Sequence, residues 1–221
     1  TMQFSLPERL KTATRELHTE AERAGVMRRL VTGRLPRADY LRLMHNLAAI
    51  YDALEPALAR HAAHPALAPV YDPALARRAA LAADLALLAP QAKPPPLAPS
   101  TAAYVARLHR LDRSAPQQLL AHAYVRYLGD LSGGQVLQRV VGHSYGLTPP
   151  DGLRFYLFGD SAEVAARIGA FRRGLAAVPV SADDIDALVD EARAAFTLHA
   201  AMFRELDAPA ADAAVQAPSS S

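Results

Sequence analysis

The feature that most constrains this chain is a glycine-bearing segment at residues 121–141. Its apolar residues, among them Tyr127, Leu131 and Val141, recur mostly at helical spacing, which predicts one long helix. Glycines nevertheless stand in its middle. Each glycine in a helix interior costs about 1 kcal/mol relative to alanine, and a Gly/Ser cluster is a place where helices kink. Because alanine is abundant elsewhere in the chain, these glycines indicate a local need for bare backbone.

Gly129 and Gly133 are four residues apart and therefore lie on one face of this helix. Something must approach that face closely. One interpretation is tight packing against another helix. The other is a flat ligand lying on the main chain, with Asp130, Ser132 and Gln135 as the polar groups nearby.

Composition favours an all-α protein. Alanine and leucine dominate, β-branched residues are sparse, and prolines separate apolar periodic segments. The 221 residues fit one domain, which we place at residues 1–207, followed by an Ala/Pro/Ser-rich tail at 208–221 that we expect to be disordered.

Charge and residue usage narrow the possible functions. A net charge of +2 is too small for a nucleic-acid-binding protein, and the absence of cysteine excludes disulfides and thiolate ligands to a metal or heme. We see neither a signal peptide nor an apolar run long enough to span or anchor in a membrane. We therefore expect a cytoplasmic protein.

Capping residues and prolines predict the helix boundaries. Ser5 and Glu8 form a capping box at the first helix, and Pro56 is expected to kink or shorten the third. Residues 90–99 and 147–159 are interpreted as loops. The predicted helices cover residues 5–25, 26–31, 36–60, 74–88, 100–112, 114 to 142 or 146, from 161 onward, and 181–206.

The glycine-bearing segment also resembles a known signature. Residues 124–137 read Tyr-x-Arg-Tyr-Leu-Gly-Asp-Leu-Ser-Gly-Gly-Gln-Val-Leu, which is similar to the motif of the heme oxygenases. In that family the motif forms the kinked distal helix over the heme. The resemblance implies a multi-helix bundle with heme, both substrate and cofactor, between a proximal and a distal helix. It also implies O2 as co-substrate, biliverdin, CO and ferrous iron as products, and an electron donor such as ferredoxin or a reductase.

The first helix carries Lys11, Arg15, His18 and Glu22 on one face. A histidine at the edge of an apolar face is usually only packed or hydrogen-bonded. Residues 10–22 resemble the proximal helix of heme oxygenases, however, and this implies that His18 is the axial ligand of the iron. Glu22 would then accept the proton on the other ring nitrogen, and Lys11 would contact a heme propionate.

The resemblance assigns the remaining site residues. Without the resemblance, Tyr51 would be interpreted as an aromatic residue of the core. The resemblance implies that it corresponds to a tyrosine that shares a hydrogen-bonded water network with the distal aspartate, here Asp130. Asp130 would pass protons through ordered water. The predicted catalytic residues are Tyr51, Arg126, Gly129, Asp130 and Gly133. The predicted heme-binding residues are Lys11, His18, Glu22, Tyr124, Gly129, Ser132, Gly133, Arg172 and Phe196.

The cationic cluster of the predicted helix that begins at residue 161 has two interpretations. Arg167, Arg172 and Arg173 by themselves are typical of a solvated helix face. The resemblance instead brings Arg172 to a propionate. It also shows a departure, since Ile168 stands where better-known members have a second propionate lysine. Arg167 is adjacent but points about 100 degrees away on a helix.

Other functions were weighed against heme cleavage. A heme carrier or sensor would need His18 but no proton relay, so the set of Tyr51, Arg126 and Asp130 speaks against it. A di-iron oxidase would need repeated Glu-x-x-His ligands, which the chain lacks. A thiamin-type hydrolase would need a cysteine nucleophile. His199 is the chief rival for a metal role and is expected to be a polar residue packed near the pocket.

Overall fold

A computed structural model describes residues 5–91 and 93–208, and over these ranges the chain is all-α with no strand. The predicted fold class is therefore confirmed. Beyond Ala208, the predicted tail lies outside the described residues. The helices are α1 Leu6–Glu22, α2 Gly25–Val31, α3 Arg37–Arg60, α4 Arg78–Leu88, α5 Pro99–Ser114, α6 Leu119–Ala123, α7 Gly129–Tyr145, α8 Ser161–Ala177 and α9 Ala182–Asp207.

Helix α9 is the central element of the fold. It packs against α1, α2, α3, α5 and α6, and it begins with a capping box between Ser181 and Asp184. Charged contacts fix α1 alongside it: Arg9 pairs with Asp186, and Arg193 donates to the Ala13 carbonyl at 2.9 Å. The α1 capping box is also present, with the Ser5 backbone N–H 2.9 Å from Glu8 Oε2. The helix that carries His18 is thus held on a rigid support.

The prediction of a helix beginning at Ala74 was wrong. Residues Pro73–Leu75 form a 3-10 turn, and α4 begins only at Arg78. The physical reason is a long-range cap: the buried Glu55 carboxylate of α3 accepts the backbone N–H groups of Arg77 at 2.5 Å and Arg78 at 3.1 Å. Pro56 does not shorten α3, which continues to Arg60 as one helix.

The predicted single distal helix is a compound of four pieces. A 3-10 turn at Pro116–Gln118 leads into α6, a π-helical turn at Tyr124–Leu128 follows, and α7 ends at the left-handed Gly146. The irregular turn directly precedes the glycines. A π turn inserts an extra residue into the helix and changes which side chains face each side. Here Tyr127 reaches Glu55 at 3.1 Å, whereas Tyr124 faces the opposite side.

The Glu55 cap gives a test of the fold. Replacing Glu55 with Ala leaves two backbone N–H groups and the Tyr127 hydroxyl without their acceptor, so the free energy of unfolding should fall by about 2–4 kcal/mol. Urea denaturation followed by circular dichroism measures this. Asp52→Ala is the matched control, because Asp52 contacts Arg78 at 2.7 Å in an exposed pair. That control should lose less than about 1 kcal/mol. Equal losses in the two variants would show that Glu55 is not the anchor of α4.

Candidate active site

A cavity of about 640 Å³ opens between α1 and the distal segment. Its floor is the exposed face of α1, and its roof is the π turn with the start of α7. Helices α8 and α9 contribute its edges. Its wall is formed by Pro7, Glu8, Lys11, Thr14, Arg15, His18, Glu22, Tyr124, Val125, Leu128, Gly129, Ser132, Gly133, Arg172, Leu175 and Phe196.

The glycines separate into two groups with different roles. A Cβ built on Gly129 would meet nothing within 4 Å, and one on Gly133 only Leu137 Cδ1 at 4.0 Å. A Cβ on Gly134 would instead lie 3.1 Å from the Tyr156 carbonyl oxygen. Gly134 is therefore the helix-packing glycine, whereas Gly129 and Gly133 present bare main chain to the open cavity. We call these two residues the glycine wall.

On the opposite side, His18 faces the cavity with its side chain 52% exposed. Its Nε2 lies 3.2 Å from Glu22 Oε1, and the Phe196 ring packs beside it at 5.6 Å between centroids. This contact leaves Nδ1 as the free ring nitrogen.

Three cations gather at the cavity: Lys11, Arg15 and Arg172. Arg15 shares the α1 face with Lys11 but was not predicted as a site residue, although its spacing four residues after Lys11 was the signal. Burial raises the pKa of Tyr124, and the nearby positive charge of Arg172 opposes that rise. The cluster provides binding groups for carboxylates.

The position of the missing propionate lysine stays without a cation. Ile168 packs against the core. Arg167 points elsewhere, since its Nε donates to the Phe158 carbonyl at 3.2 Å and its Nη1 lies 3.4 Å from Asp72. The cavity wall does not include Arg167.

A buried polar network lies behind the glycine wall. The Tyr51 hydroxyl donates to Asp130 Oδ2, and Arg126 donates through Nη2 to Asp130 Oδ1 at 2.8 Å and through Nε to the Tyr51 oxygen at 3.0 Å. We call these three residues the distal relay. None of them is part of the cavity wall, although Asp130 directly follows Gly129.

Burial sets the protonation states of the relay. It raises the pKa of Asp130, against the opposing charge of Arg126. It also raises the pKa of Tyr51 well above its ordinary value. Burial disfavours the Arg126 charge, but Asp130 beside it raises the pKa of that guanidinium overall. The tyrosine thus keeps its proton, and the carboxyl is the member whose affinity for a proton is tuned upward.

Two polar residues lie outside the cavity wall. His199 is fully enclosed behind the relay, with Nε2 3.2 Å from Arg126 Nη1 and Nδ1 2.7 Å from the Ala195 carbonyl. It is therefore a member of the hydrogen-bonded network rather than a residue at the pocket. Gln135 turns away from the cavity and reaches Ser161 Oγ at 3.3 Å.

The residues present fit a flat, carboxylate-bearing macrocycle with a central metal. The volume is within the range of about 300–1,000 Å³ that ligand pockets occupy. An imidazole suits iron, cations suit peripheral carboxylates, and bare main chain suits a planar face. Within residues 5–91 and 93–208, no cluster of three or more His, Asp or Glu side chains is arranged to hold a metal ion. The fold and cavity define a helical protein with a binding site suited to such a ligand.

Comparison with known proteins identifies the family. The heme oxygenase family model matches residues 4–205. Human heme oxygenase 1 is 39% identical over 209 residues, covering 93% of this chain and 73% of the relative. Heme oxygenase 1 of Nostoc is 33% identical, covering 93% and 87%. The crystal structure of Synechocystis heme oxygenase-1 in complex with heme has a TM-score of 0.84 at 32% identity, covering 92% of this chain and 93% of that one.

This chain belongs to the heme oxygenase family. It is an enzyme that uses O2 and a reductant to cleave heme to biliverdin, CO and ferrous iron, and heme is its substrate. The expectation of this family from residues 124–137 is confirmed. In the described part of the chain, no helix is both long and apolar enough to cross a membrane.

The two groups of glycines predict opposite effects of alanine. Gly133→Ala should keep or raise the free energy of unfolding of the heme-free protein, by up to about 1 kcal/mol, but weaken hemin binding because its methyl enters the cavity. Gly134→Ala should destabilise the protein by about 1–3 kcal/mol, because its methyl meets the Tyr156 carbonyl. Urea denaturation and hemin titration by absorbance measure both. Destabilisation by Gly133→Ala with unchanged hemin binding would contradict the glycine wall.

Proposed function

We propose that the residues of this cavity divide the family reaction between a binding side on α1 and a proton-delivering side behind the glycine wall. The observation that carries the proposal is the open main chain at Gly129 and Gly133, with the buried distal relay directly behind it. Bound heme supplies the iron that takes oxygen and the porphyrin ring that is cleaved. The surrounding side chains bind the heme, orient it and deliver the proton.

On the binding side, His18 provides the imidazole ligand. Glu22 is 3.2 Å from a ring nitrogen and orients the ring by accepting its N–H. Phe196 packs beside the imidazole and against the bound macrocycle. Because His18 is half exposed before heme binds, this face is accessible to the substrate.

At the cavity edge, Lys11, Arg15 and Arg172 hold the heme propionates, with Tyr124 beside Arg172. Two of the cations lie on α1 and one on α8. Ile168 is apolar and Arg167 is engaged by Asp72 and the Phe158 carbonyl, so neither binds a propionate. The propionates are therefore held only at the edge lined by Lys11, Arg15 and Arg172. The cations therefore set the rotation of the macrocycle in its plane, and with it the ring edge that faces the relay.

On the distal side, the glycine wall lets the macrocycle lie against main chain and crowds the space above it, with Ser132 at its rim. Asp130 carries the proton on its carboxyl group and, because it lies behind the wall, passes it into the cavity through ordered water. Tyr51 and Arg126 hold that carboxyl from two directions. A general acid of this kind is most effective when its pKa lies near the working pH, and burial shifts the pKa of Asp130 in that direction.

The proposal also requires an electron donor and a compartment that contains it. No residue of the cavity can supply the electrons of the reaction, so a ferredoxin or a reductase must dock and deliver them. We place the protein in the cytoplasm, where such donors are found. A heme carrier would have no use for the distal relay, and this distinguishes the proposal from simple binding.

The relay is tested at Asp130. Asp130→Ala should bind hemin but form little or no biliverdin, and Asp130→Asn, which keeps the hydrogen-bonding shape but cannot exchange a proton, should fail in the same way. The proteins are incubated with hemin, an electron donor and O2, spectra are recorded over time, and the bilins are separated by chromatography. Exposed Asp190→Ala on α9 serves as the control. Full activity of Asp130→Asn would refute proton delivery by this residue.

The ligand role of His18 has a separate test. His18→Ala should lose the absorption spectrum of imidazole-ligated heme, and added imidazole should restore it by filling the space that the side chain leaves. His199→Gln is the comparison, since His199 does not line the cavity and its replacement should leave the iron ligand unchanged. An unaltered spectrum in His18→Ala would assign the iron ligand to another residue.

A further inference from the structure

The relay has a buried neighbour to which neither the sequence nor the family comparison assigns a role. His199 on α9 is 3% exposed, and both of its ring nitrogens are engaged. Nδ1 is 2.7 Å from the Ala195 carbonyl oxygen, which can only accept, so Nδ1 carries the proton. Nε2 therefore presents a lone pair, and it faces Arg126 Nη1 at 3.2 Å.

Arg126 uses its three nitrogens on three different helices. Nε donates to Tyr51 of α3 at 3.0 Å, Nη2 to Asp130 of α7 at 2.8 Å, and Nη1 to His199 of α9 at 3.2 Å. The guanidinium is a rigid planar fork. One acceptor at each nitrogen fixes both the position and the rotation of the fork, whereas the two within the relay leave Nη1 without an acceptor.

The neutral state of His199 suits this contact. Burial, reinforced by the positive charge of Arg126, lowers its pKa to about 3. The neighbouring rings of Tyr104 and Phe203 lie at 5.1 and 6.1 Å between centroids. A protonated ring would set a second donor against the Arg126 donor. Neutral His199 is thus an acceptor throughout the working pH range.

We infer that His199 is a positioning residue of the distal relay, which acts through Arg126 to hold the Asp130 carboxyl in place. This rests on the proposed proton delivery by Asp130. His199 itself touches neither the cavity nor the substrate. It provides an acceptor whose position is fixed by the packing of α9. By holding Arg126, it also holds the Asp130 carboxyl that donates the proton.

Three variants separate positioning from packing. His199→Leu keeps apolar bulk but removes the acceptor. His199→Gln can place an amide oxygen near the position of Nε2, so it should rescue the contact. Leu188→Ala, at a residue 3% exposed on the same helix, destabilises α9 without touching Arg126. If His199→Leu does not fold, His199→Asn replaces it, because its shorter amide cannot reach Arg126.

The first measurement uses the protein without heme. Hydrogen exchange of the Arg126 side-chain N–H groups is followed by NMR. Loss of a buried hydrogen bond to a charged donor should speed this exchange about tenfold in His199→Leu. His199→Gln and Leu188→Ala should remain close to wild type. Wild-type exchange in His199→Leu, or equal acceleration in Leu188→Ala, overturns the inference.

The second measurement adds hemin, an electron donor and O2, and determines what share of the consumed heme is recovered as biliverdin. His199→Leu should recover about one tenth of the wild-type share, with hemin affinity unchanged, and His199→Gln should restore most of it. An undiminished share in His199→Leu overturns the inference. If the wild-type protein itself forms no biliverdin, the proposed function fails, and the exchange rates still report whether His199 holds Arg126.

Discussion

The distal half of this protein depends on one buried charge. Arg126 is enclosed among helices, where a guanidinium without partners would be very costly. Each of its three nitrogens has a hydrogen-bond partner, and these partners, Tyr51, Asp130 and His199, lie on three helices. Because the hydrogen bonds of this one guanidinium connect α3, α7 and α9, they constrain how these three helices lie relative to one another. The same contacts hold the carboxyl of Asp130, the group that we propose delivers the proton, so one set of hydrogen bonds serves both stability and the proposed chemistry.

The glycines show how the fold reconciles close packing with an open cavity. Gly134 brings α7 against the Tyr156 carbonyl and contributes to structure. Gly129 and Gly133 contribute no packing and leave main chain exposed to the cavity. The π turn just before them directs Tyr127 to Glu55 while Tyr124 remains on the cavity side. Structural and functional residues thus alternate along a single segment because the helix changes its winding there.

Much of the fold was predictable because its signals are local. The starts of α8 and α9 follow from capping boxes that involve residues three apart, and the helices of the core follow from periodicity. The prediction failed at α4, whose first turn is capped by Glu55 from another helix. It also missed the π turn and the enclosure of His199, since both depend on partners far away in the chain. Arg15 could have been found from its spacing with Lys11.

The sequence alone determined the family, the all-α class and the residue types available to the site, because a long motif and local propensities carry that information. It could not decide between the two interpretations of the glycines. The tertiary structure decided that Gly134 packs while Gly129 and Gly133 face open space, that Arg167 is engaged elsewhere, and that His199 faces Arg126. The reason is physical: what a bare backbone or a buried nitrogen meets depends on how distant helices cross, and spacing along one helix does not contain that information.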